Sequence, residues 1–372
     1  MPKRFLWKHI NQLPNFDDSK GIGMRMKVQT HTSCNRIVEN KYSSTEQIID
    51  QFGRVFTYLR IAVNQNCNLR CIYCMPEGGI PLKKSTNIMS QDVIHRILKV
   101  SSELGVNKVR FTGGEPLIHP NIISLVEIAN KTPGIDSVHI TTNAVFLKNI
   151  IGDLQKAGLK GINISIDTLD VKKYLLMTRR NTLNKAIEGL ETAISIGFPS
   201  IKINVVVLRG FNDYELKDFA ELTKEHPITV RFIELMPFDD NQIWKTGKFM
   251  SADDIEQNLN QYFPNMVSTV GSNTEHAIYK IPGYKGKIAV IPAFSRDLCT
   301  QCNRIRITSD GKIRNCLFSN NENDILDLIK RGGTDADLKK ILIDTMWEKA
   351  YNGWEVQNPE SEIRSSMAQI GG

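Results

Sequence analysis

From Phe56 onward, short runs rich in β-branched residues alternate with segments whose apolar positions recur every three to four residues. The first kind covers Thr57–Val63, Lys108–Phe111, Ser137–Thr141, Gly161–Ile166, Ile201–Leu208 and Thr229–Glu234. The second lies near residues 90–104, 120–131, 146–157, 182–196 and 213–225. This change of period predicts strands followed by amphipathic helices. Ser90 stands just before Val93, Ile94, Ile97 and Leu98, an N-cap with one apolar face behind it. Gly105, Gly158 and Gly197 close three of the helical segments, where glycine is favoured. Strands separated by helices predict a parallel sheet wound by right-handed crossovers.

A βα barrel and a doubly wound sheet share that order, and the placement of unusual residues separates them. The loop from Cys67 follows the first strand, and Gly113-Gly114-Glu115-Pro116 follows the second. Thr141-Thr142-Asn143 ends the third, Ser165 and Asp167 end the fourth, and Glu234 and Met236 end the sixth. All five groups lie at strand C-termini, the end at which βα barrels carry their chemistry. A doubly wound sheet gathers its ligand residues at a switch point. The expected fold is therefore α/β, an incomplete (β/α)6 TIM-like barrel over residues 51–238. Beyond Phe238 the alternation stops, leaving a short helix near 251–262, the run Lys287–Ile291 and helices near 322–331 and 335–350. Residues 239–372 are expected to form a C-terminal lobe over the open side of the barrel, and residues 1–50 a mobile or loosely docked extension.

Composition narrows the class. The chain has 372 residues and a formal charge of +7, with no apolar run of membrane-spanning length, no long Lys/Arg run and no nucleic-acid motif. A moderate basic excess suits a small polyanionic substrate. Neither membrane nor nucleic acid is an expected partner. No apolar stretch of secretory type follows Met1. The expected location is the cytoplasm. The basic N-terminus also fits a mitochondrial transit segment, against which Asp17 and Asp18 count.

Seven cysteines are present, and six fall into two tight groups of three. Disulfide frameworks spread an even number through short secreted chains. Clustered thiols in a long chain point instead to metal or iron–sulfur binding, and Cys34, standing apart, is expected to have no catalytic role. Cys67, Cys71 and Cys74 have C-x3-C-x2-C spacing. Three thiolates can hold three irons of a [4Fe–4S] cube and leave the fourth open, whereas electron-transfer clusters use four. A zinc knuckle would call for C-x2-C pairs. Cys299, Cys302 and Cys316 form the second group, read as another [4Fe–4S] cluster with an open iron. A structural zinc with His276 as fourth ligand is the competing reading. Arg304 and Arg306 follow at period two, so both project to one face, and their bidentate forks suit a phosphate. Arg60 and Arg110 are charges in otherwise apolar strands, a costly placement unless they face a ligand or partner.

C-x3-C-x2-C with the aromatic Tyr73 before the last cysteine resembles the signature of the radical S-adenosylmethionine (SAM) superfamily, and Gly113-Gly114-Glu115-Pro116 resembles its Gly-Gly-Glu-Pro stretch. The resemblance implies SAM chelated to the open iron and cleaved to a 5′-deoxyadenosyl radical. Both cysteine groups, Cys302-Asn303-Arg304-Ile305-Arg306 and the terminal Gly371-Gly372 together resemble the GTP 3′,8-cyclase family of that superfamily, from about Phe56 to the last residue. This implies an incomplete barrel and two [4Fe–4S] clusters. The implied reaction has the deoxyadenosyl radical take the ribose 3′ hydrogen of GTP, after which the sugar radical attacks C8 of guanine, in molybdenum cofactor biosynthesis. By motif, Tyr73, Gly114, Ser165 and Met236 are implied to contact SAM, and Arg60, Arg110, Thr141, Lys202, Arg304 and Arg306 to contact GTP. The Gly-Gly tail is implied to reach the active site. Other implied partners are an external reductant and, downstream, cyclic pyranopterin monophosphate synthase, the chain itself being a monomer or homodimer. Asn66 departs from the arginine common before the first cysteine. A radical SAM peptide-modifying enzyme is the competing enzyme, though those carry more auxiliary cysteines. A non-catalytic iron–sulfur or zinc protein would not need an open coordination position twice.

Overall fold

The computed structural model describes residues 47–80, 88–236, 247–269, 277–295, 299–356 and 366–370. Cys34, His276, the Gly-Gly tail and most of the N-terminal extension lie outside them. All six expected strands are present: β1 (Tyr58–Ala62), β2 (Lys108–Thr112), β3 (Ser137–Thr142), β4 (Gly161–Ser165), β5 (Ile201–Val207) and β6 (Thr229–Glu234). The helices between them are α1 (Gln91–Glu103), α2 (Ile122–Lys131), α3 (Leu147–Lys156), α4 (Val171–Thr178), α5 (Leu183–Ser195) and α6 (Leu216–Glu225). Ser90 caps α1 as the sequence implied, its hydroxyl accepting from Val93 N–H.

Helix α4 escaped the periodicity because its apolar residues do not share one face. Tyr174 and Met177 are buried, while Leu175 and Leu176 face outward. Asp170 starts it by accepting from Lys173 N–H, and Arg179, with φ of 54°, ends it in the left-handed region.

The C-terminal part adds α7 (Ala252–Tyr262), β7 (Val267–Thr269), β8 (Ala277–Lys280), β9 (Lys287–Ile291), β10 (Arg304–Ile307), β11 (Lys312–Arg314), β12 (Asn323–Asp324), α8 (Ile325–Lys330) and α9 (Asp335–Trp347). Capping boxes start α7 (Ser251 with Asp254) and α9 (Thr334 with Asp337). The strands form one sheet ordered β12-β11-β10-β1-β2-β3-β4-β5-β6-β9-β8-β7. β10 pairs parallel with β1 and β9 parallel with β6, so two further strands flank the six expected ones. β9 and β10 do not pair with each other, and the barrel stays open between them. Isoleucine, valine and phenylalanine on the strands' outer faces pack under the helices, as where Phe232 of β6 meets Phe219 of α6 edge to face at 6.5 Å.

Glu234, at the end of β6, ties barrel to C-terminal part. Its buried carboxylate accepts from Ala252 N–H (2.8 Å), Phe294 N–H (2.8 Å), Ser295 N–H (2.8 Å) and the Ser295 hydroxyl (2.7 Å). Glu234→Ala leaves those donors without an acceptor, and each orphaned buried group costs about 1–3 kcal/mol. Urea unfolding is therefore expected to show a loss of about 3 kcal/mol or more.

Candidate active site

The inner face of the sheet encloses a cavity of about 690 Å3, within the range of small-molecule sites. All six clustered cysteines line it, as do Tyr73, Gly114, Ser165 and Met236, and also Arg60, Arg110, Thr141, Lys202, Arg304 and Arg306. The structure thus brings the six clustered cysteines and all ten residues expected to contact SAM or GTP to one space.

The first cysteine loop follows β1 and is held from below by α4. Arg70 N–H donates to Thr178 O and Ile72 N–H to Met177 O, both at 2.9 Å. The Arg179 side chain donates to Arg70 O and Met75 O, one on each side of the Cys71–Cys74 turn. Above the loop, residues 366–370 approach it, with Met367 N–H donating to Cys74 O at 3.3 Å. Tyr73 is tied by its hydroxyl to Asp167 Oδ2 (2.6 Å), while Asp167 Oδ1 accepts from Val206 N–H (2.8 Å). Burial holds Asp167 up at about 6 and Glu115 up at about 7.

Gly113 and Gly114 do something the sequence did not show. A Cβ on Gly114 would lie 2.1 Å from Asn66 O, and one on Gly113 would lie 2.4 Å from Asn64 O. The pair lets this loop press against the backbone that leads into Cys67, where Gly114 N–H donates to Asn64 O and Glu115 N–H to Asn66 O. Glu115 then accepts from the Thr142 hydroxyl (2.6 Å) and Asn143 N–H (2.7 Å), locking the ends of β2 and β3 to the cysteine loop.

The second cysteine group faces the cavity from the segments around β10. Cys302 N–H donates to Cys299 O at 3.2 Å. Burial pushes the Cys302 thiol up, but Lys349, Arg304 and Arg306 together bring it down to about 7. In the first group burial dominates, raising Cys67 to about 12 and Cys74 to about 11.

Three thiols in each group are the donor set that an iron–sulfur cube with one open corner calls for. All six thiols line the one cavity. Polar donors face the sulfurs, Leu69 N–H lying 3.4 Å from Cys67 Sγ and Asn143 Nδ2 3.9 Å from it. At the second group, the buried Asn315 Oδ1 beside Cys316 has no hydrogen-bond partner. Among the described residues no three His, Cys, Asp or Glu side chains are grouped to share a single metal ion, and His276, the fourth ligand of the zinc reading, lies outside them.

Between the groups the strands carry cations in register. Arg306, Arg60, Arg110 and His139 stand side by side on β10, β1, β2 and β3, and Arg304, Tyr58, Lys108 and Ser137 form a second row. Thr141, Asn163 and Lys202 align on β3, β4 and β5, next to Asn204 and Arg231 on β5 and β6. Arg110 donates to the Tyr58 hydroxyl and, at 3.2 Å, to Thr141 Oγ1. Burial and then Arg306 push Arg60 well below the usual guanidinium value, and burial with Arg304 brings Arg306 to about 10. His139 is driven down to about 2 by burial and by Arg110, Lys108, Lys202 and Arg231, so it is a neutral imidazole. For Tyr58, burial raises the phenol, yet Arg110, Arg60, Lys108 and Arg304 outweigh it and bring it to about 7. Such a wall is built to receive a multiply charged anion.

Lys108, Arg231, Tyr58, His139 and Lys349 also line the cavity and were not singled out in the sequence. Period two carried outward from Arg110 reaches Lys108, while Arg231, like Arg60 and Arg110, is marked only as a charge within a mostly apolar strand. No comparable signal marks Lys349, which lies in irregular chain after α9.

Comparison with known proteins agrees with this geometry. Residues 61–223 match the Radical SAM superfamily and residues 228–353 match Molybdenum Cofactor Synthesis C. The chain is 42% identical to a GTP 3′,8-cyclase of Chlorobaculum tepidum over 336 residues, covering 90% of this chain and 100% of that protein. It is 41% identical to molybdenum cofactor biosynthesis protein 1 of Homo sapiens over 79% of this chain, and spans about half (46%) of that longer protein. Among solved structures, Streptococcus suis SuiB bound to S-adenosylmethionine has a TM-score of 0.54 at 17% identity, over 81% of this chain and 68% of that one. An anSMEcpe structure with bound AdoMet has a TM-score of 0.53 at 17% identity, over 81% and 79%. At that identity these two likenesses concern the fold alone.

Gly114→Ala is expected to force the 64–66 segment outward, since overpacking against backbone has no cheap relief. Iron bound per chain after anaerobic reconstitution should fall in this variant. It should not change in Gly78→Ala, whose added Cβ meets nothing within 4 Å.

Proposed function

Because the chain belongs to the GTP 3′,8-cyclase family of radical SAM enzymes, we propose that it converts GTP to (8S)-3′,8-cyclo-7,8-dihydroguanosine 5′-triphosphate in molybdenum cofactor biosynthesis. One observation carries this reading. A single cavity is lined by both three-thiol groups and by rows of buried and half-buried arginines and lysines on the strands. A triphosphate is a multiply charged anion of the kind such a wall would receive, and both thiol groups line the same space.

When bound, the first cluster with SAM would supply the 5′-deoxyadenosyl radical, and the second an open iron for the guanine base. The chain's own residues bind and orient. Cys67, Cys71 and Cys74 would hold the first cluster, and Cys299, Cys302 and Cys316 the second. Tyr73, Gly114, Ser165 and Met236 would seat SAM at the C-terminal strand ends, Tyr73 with its ring orientation held by Asp167. Arg60, Arg110, Lys202, Arg304 and Arg306 would grip the phosphates, with Thr141 beside Arg110 as a neutral donor. Lys108 and Arg231, which line the same cavity, would add to that grip. The reading calls for an external one-electron donor and a downstream enzyme, cyclic pyranopterin monophosphate synthase, to consume the product.

The test is anaerobic. Reconstituted protein is given SAM and a strong reductant, and 5′-deoxyadenosine is quantified with and without GTP. A GTP-dependent rise with a new product of GTP mass is expected. Cleavage indifferent to GTP would reopen the substrate. Cys71→Ser should abolish cleavage, and Cys302→Ser should retain some cleavage without forming the product. Near-wild-type cyclisation in both variants would sink the two-cluster reading. Arg60→Ala should raise KM for GTP about 10-fold or more, since a hydrogen bond to a charged group contributes about 1.5–3 kcal/mol. Steady-state kinetics across GTP concentrations reads that change.

A further inference from the structure

A buried ion pair ahead of β1 lies outside every role assigned above. Residues 47–55 make a tight turn closed by the Ile49–Val55 bridge. Within it Asp50 is fully buried. Its Oδ1 accepts from Phe52 N–H (3.0 Å) and Arg54 N–H (2.9 Å), and its Oδ2 accepts from Arg54 Nε (2.5 Å). The rest of the Arg54 guanidinium points away from the turn. Nη1 donates to Cys299 O (2.7 Å) and Tyr351 O (2.8 Å), and Nη2 to Ala350 O (2.7 Å). The same Cys299 carbonyl accepts Cys302 N–H. Phe52 meets the Tyr351 ring edge to face at 5.3 Å, which seals the contact.

The chain that Arg54 grips is a splint across the second thiol group. On one side Asn352 and Gly353, directly after Tyr351, line the cavity together with Cys299. On the other, Lys349 donates to Asn315 O, next to Cys316, and Asn315 Nδ2 donates to Thr345 O (3.1 Å). Neither residues 299–303 nor 348–356 belong to a strand ladder, so side-chain bonds must set their distance from one another. One planar guanidinium saturates three carbonyls from both segments while a carboxylate locks its orientation, a geometry an ammonium cannot copy.

We infer that Arg54, oriented by Asp50, is the positioning residue of the second three-cysteine site, fixing Cys299 relative to the segment that reaches across to Cys316. This rests on the reading of that group as a cluster site. It assigns to a turn outside the barrel the task of keeping the second site assembled, and it leaves the first site independent of that turn, because no bond of Asp50 or Arg54 described here reaches residues 67–75.

The test separates the two sites by using full-length protein in two backgrounds. In one, Cys67, Cys71 and Cys74 are alanine, and in the other Cys299, Cys302 and Cys316 are alanine. Arg54→Gln, Arg54→Lys and Asp50→Asn are placed in each. Bound iron and sulfide, and the EPR signal of the reduced cluster, are then measured. Losing a partner that orients a metal ligand typically costs 10–100-fold in metal affinity. In the background keeping only the second site, Arg54→Gln should weaken iron retention against a chelator by about 10-fold or more and alter the EPR signal. Arg54→Lys should fall between Arg54→Gln and wild type, because it keeps the charge and loses the fork. In the background keeping only the first site, iron retention and signal should not move. Unchanged retention and signal in the second-site background would overturn the inference, and so would equal losses in both backgrounds, which would mark a general folding defect. If the second-site background with native Arg54 and Asp50 holds no cluster, the cluster reading itself fails and the inference falls with it.

Discussion

Arginine side chains on three adjacent parallel strands point into one enclosed space, and the rest of the site is arranged around the cost of putting them there. Arg306, Arg60 and Arg110 are direct neighbours across β10, β1 and β2. Neighbouring strands run about 5 Å apart, so these like charges sit close together in a medium poorer than water at screening them. A buried cation is tolerated only when paired. The protein supplies part of the compensation through the Tyr58 phenol and the cysteines of the second group. Burial and then the neighbouring Arg306 lower Arg60, while the cations Arg110, Arg60, Lys108 and Arg304 lower Tyr58 against the burial that raises it.

Two kinds of support keep this wall and the thiol groups in place. At the C-terminal strand ends, Glu115 and Glu234 are buried carboxylates whose partners are backbone N–H groups and hydroxyls. They act as staples. Glu115 joins β2 and β3 to the first cysteine loop, and Glu234 joins β6 to α7 and to the chain after β9. The close approach at Gly113 and Gly114 belongs to the same system, because without it the first loop could not lie against the end of β2. At the second site, cationic side chains take over this task, with Arg54 and Lys349 holding carbonyls of irregular chain. The two thiol groups therefore sit in electrically different settings, the first near Glu115 and Asp167, the second beside Lys349, Arg304 and Arg306.

The sheet reconciles an open barrel with a closed site. β10 and β9 extend the two edges of the six-stranded core, and β11, β12, β8 and β7 continue outward from them. Because the C-terminal chain pairs with both edges, the second cysteine group arrives next to β1 even though more than two hundred residues separate it from the first. That pairing puts Arg304 beside Tyr58 and Arg306 beside Arg60.

Local chemistry determined much of this from the sequence. Strand and helix periods, the Ser90 cap, the thiol spacing and the alternation of Arg304 and Arg306 all depend on residues within a few positions of each other, which is why they could be read directly. The charges at Arg60 and Arg110 were legible because a cation in an apolar strand is anomalous wherever the strand goes. Tertiary structure decided the rest. Helix α4 carries no one-sided apolar pattern, since its exposed Leu175 and Leu176 obscure the buried Tyr174 and Met177, yet it anchors the first cysteine loop. Gly114 was legible only as part of a family stretch, and its close approach to the backbone at Asn66 came from the fold. Lys349, Asp50 and Arg54 look like ordinary charged residues in the chain. Their roles come from carbonyls that lie far away in sequence at Cys299, Asn315, Ala350 and Tyr351, and only the folding of the chain brings those carbonyls within hydrogen-bond reach.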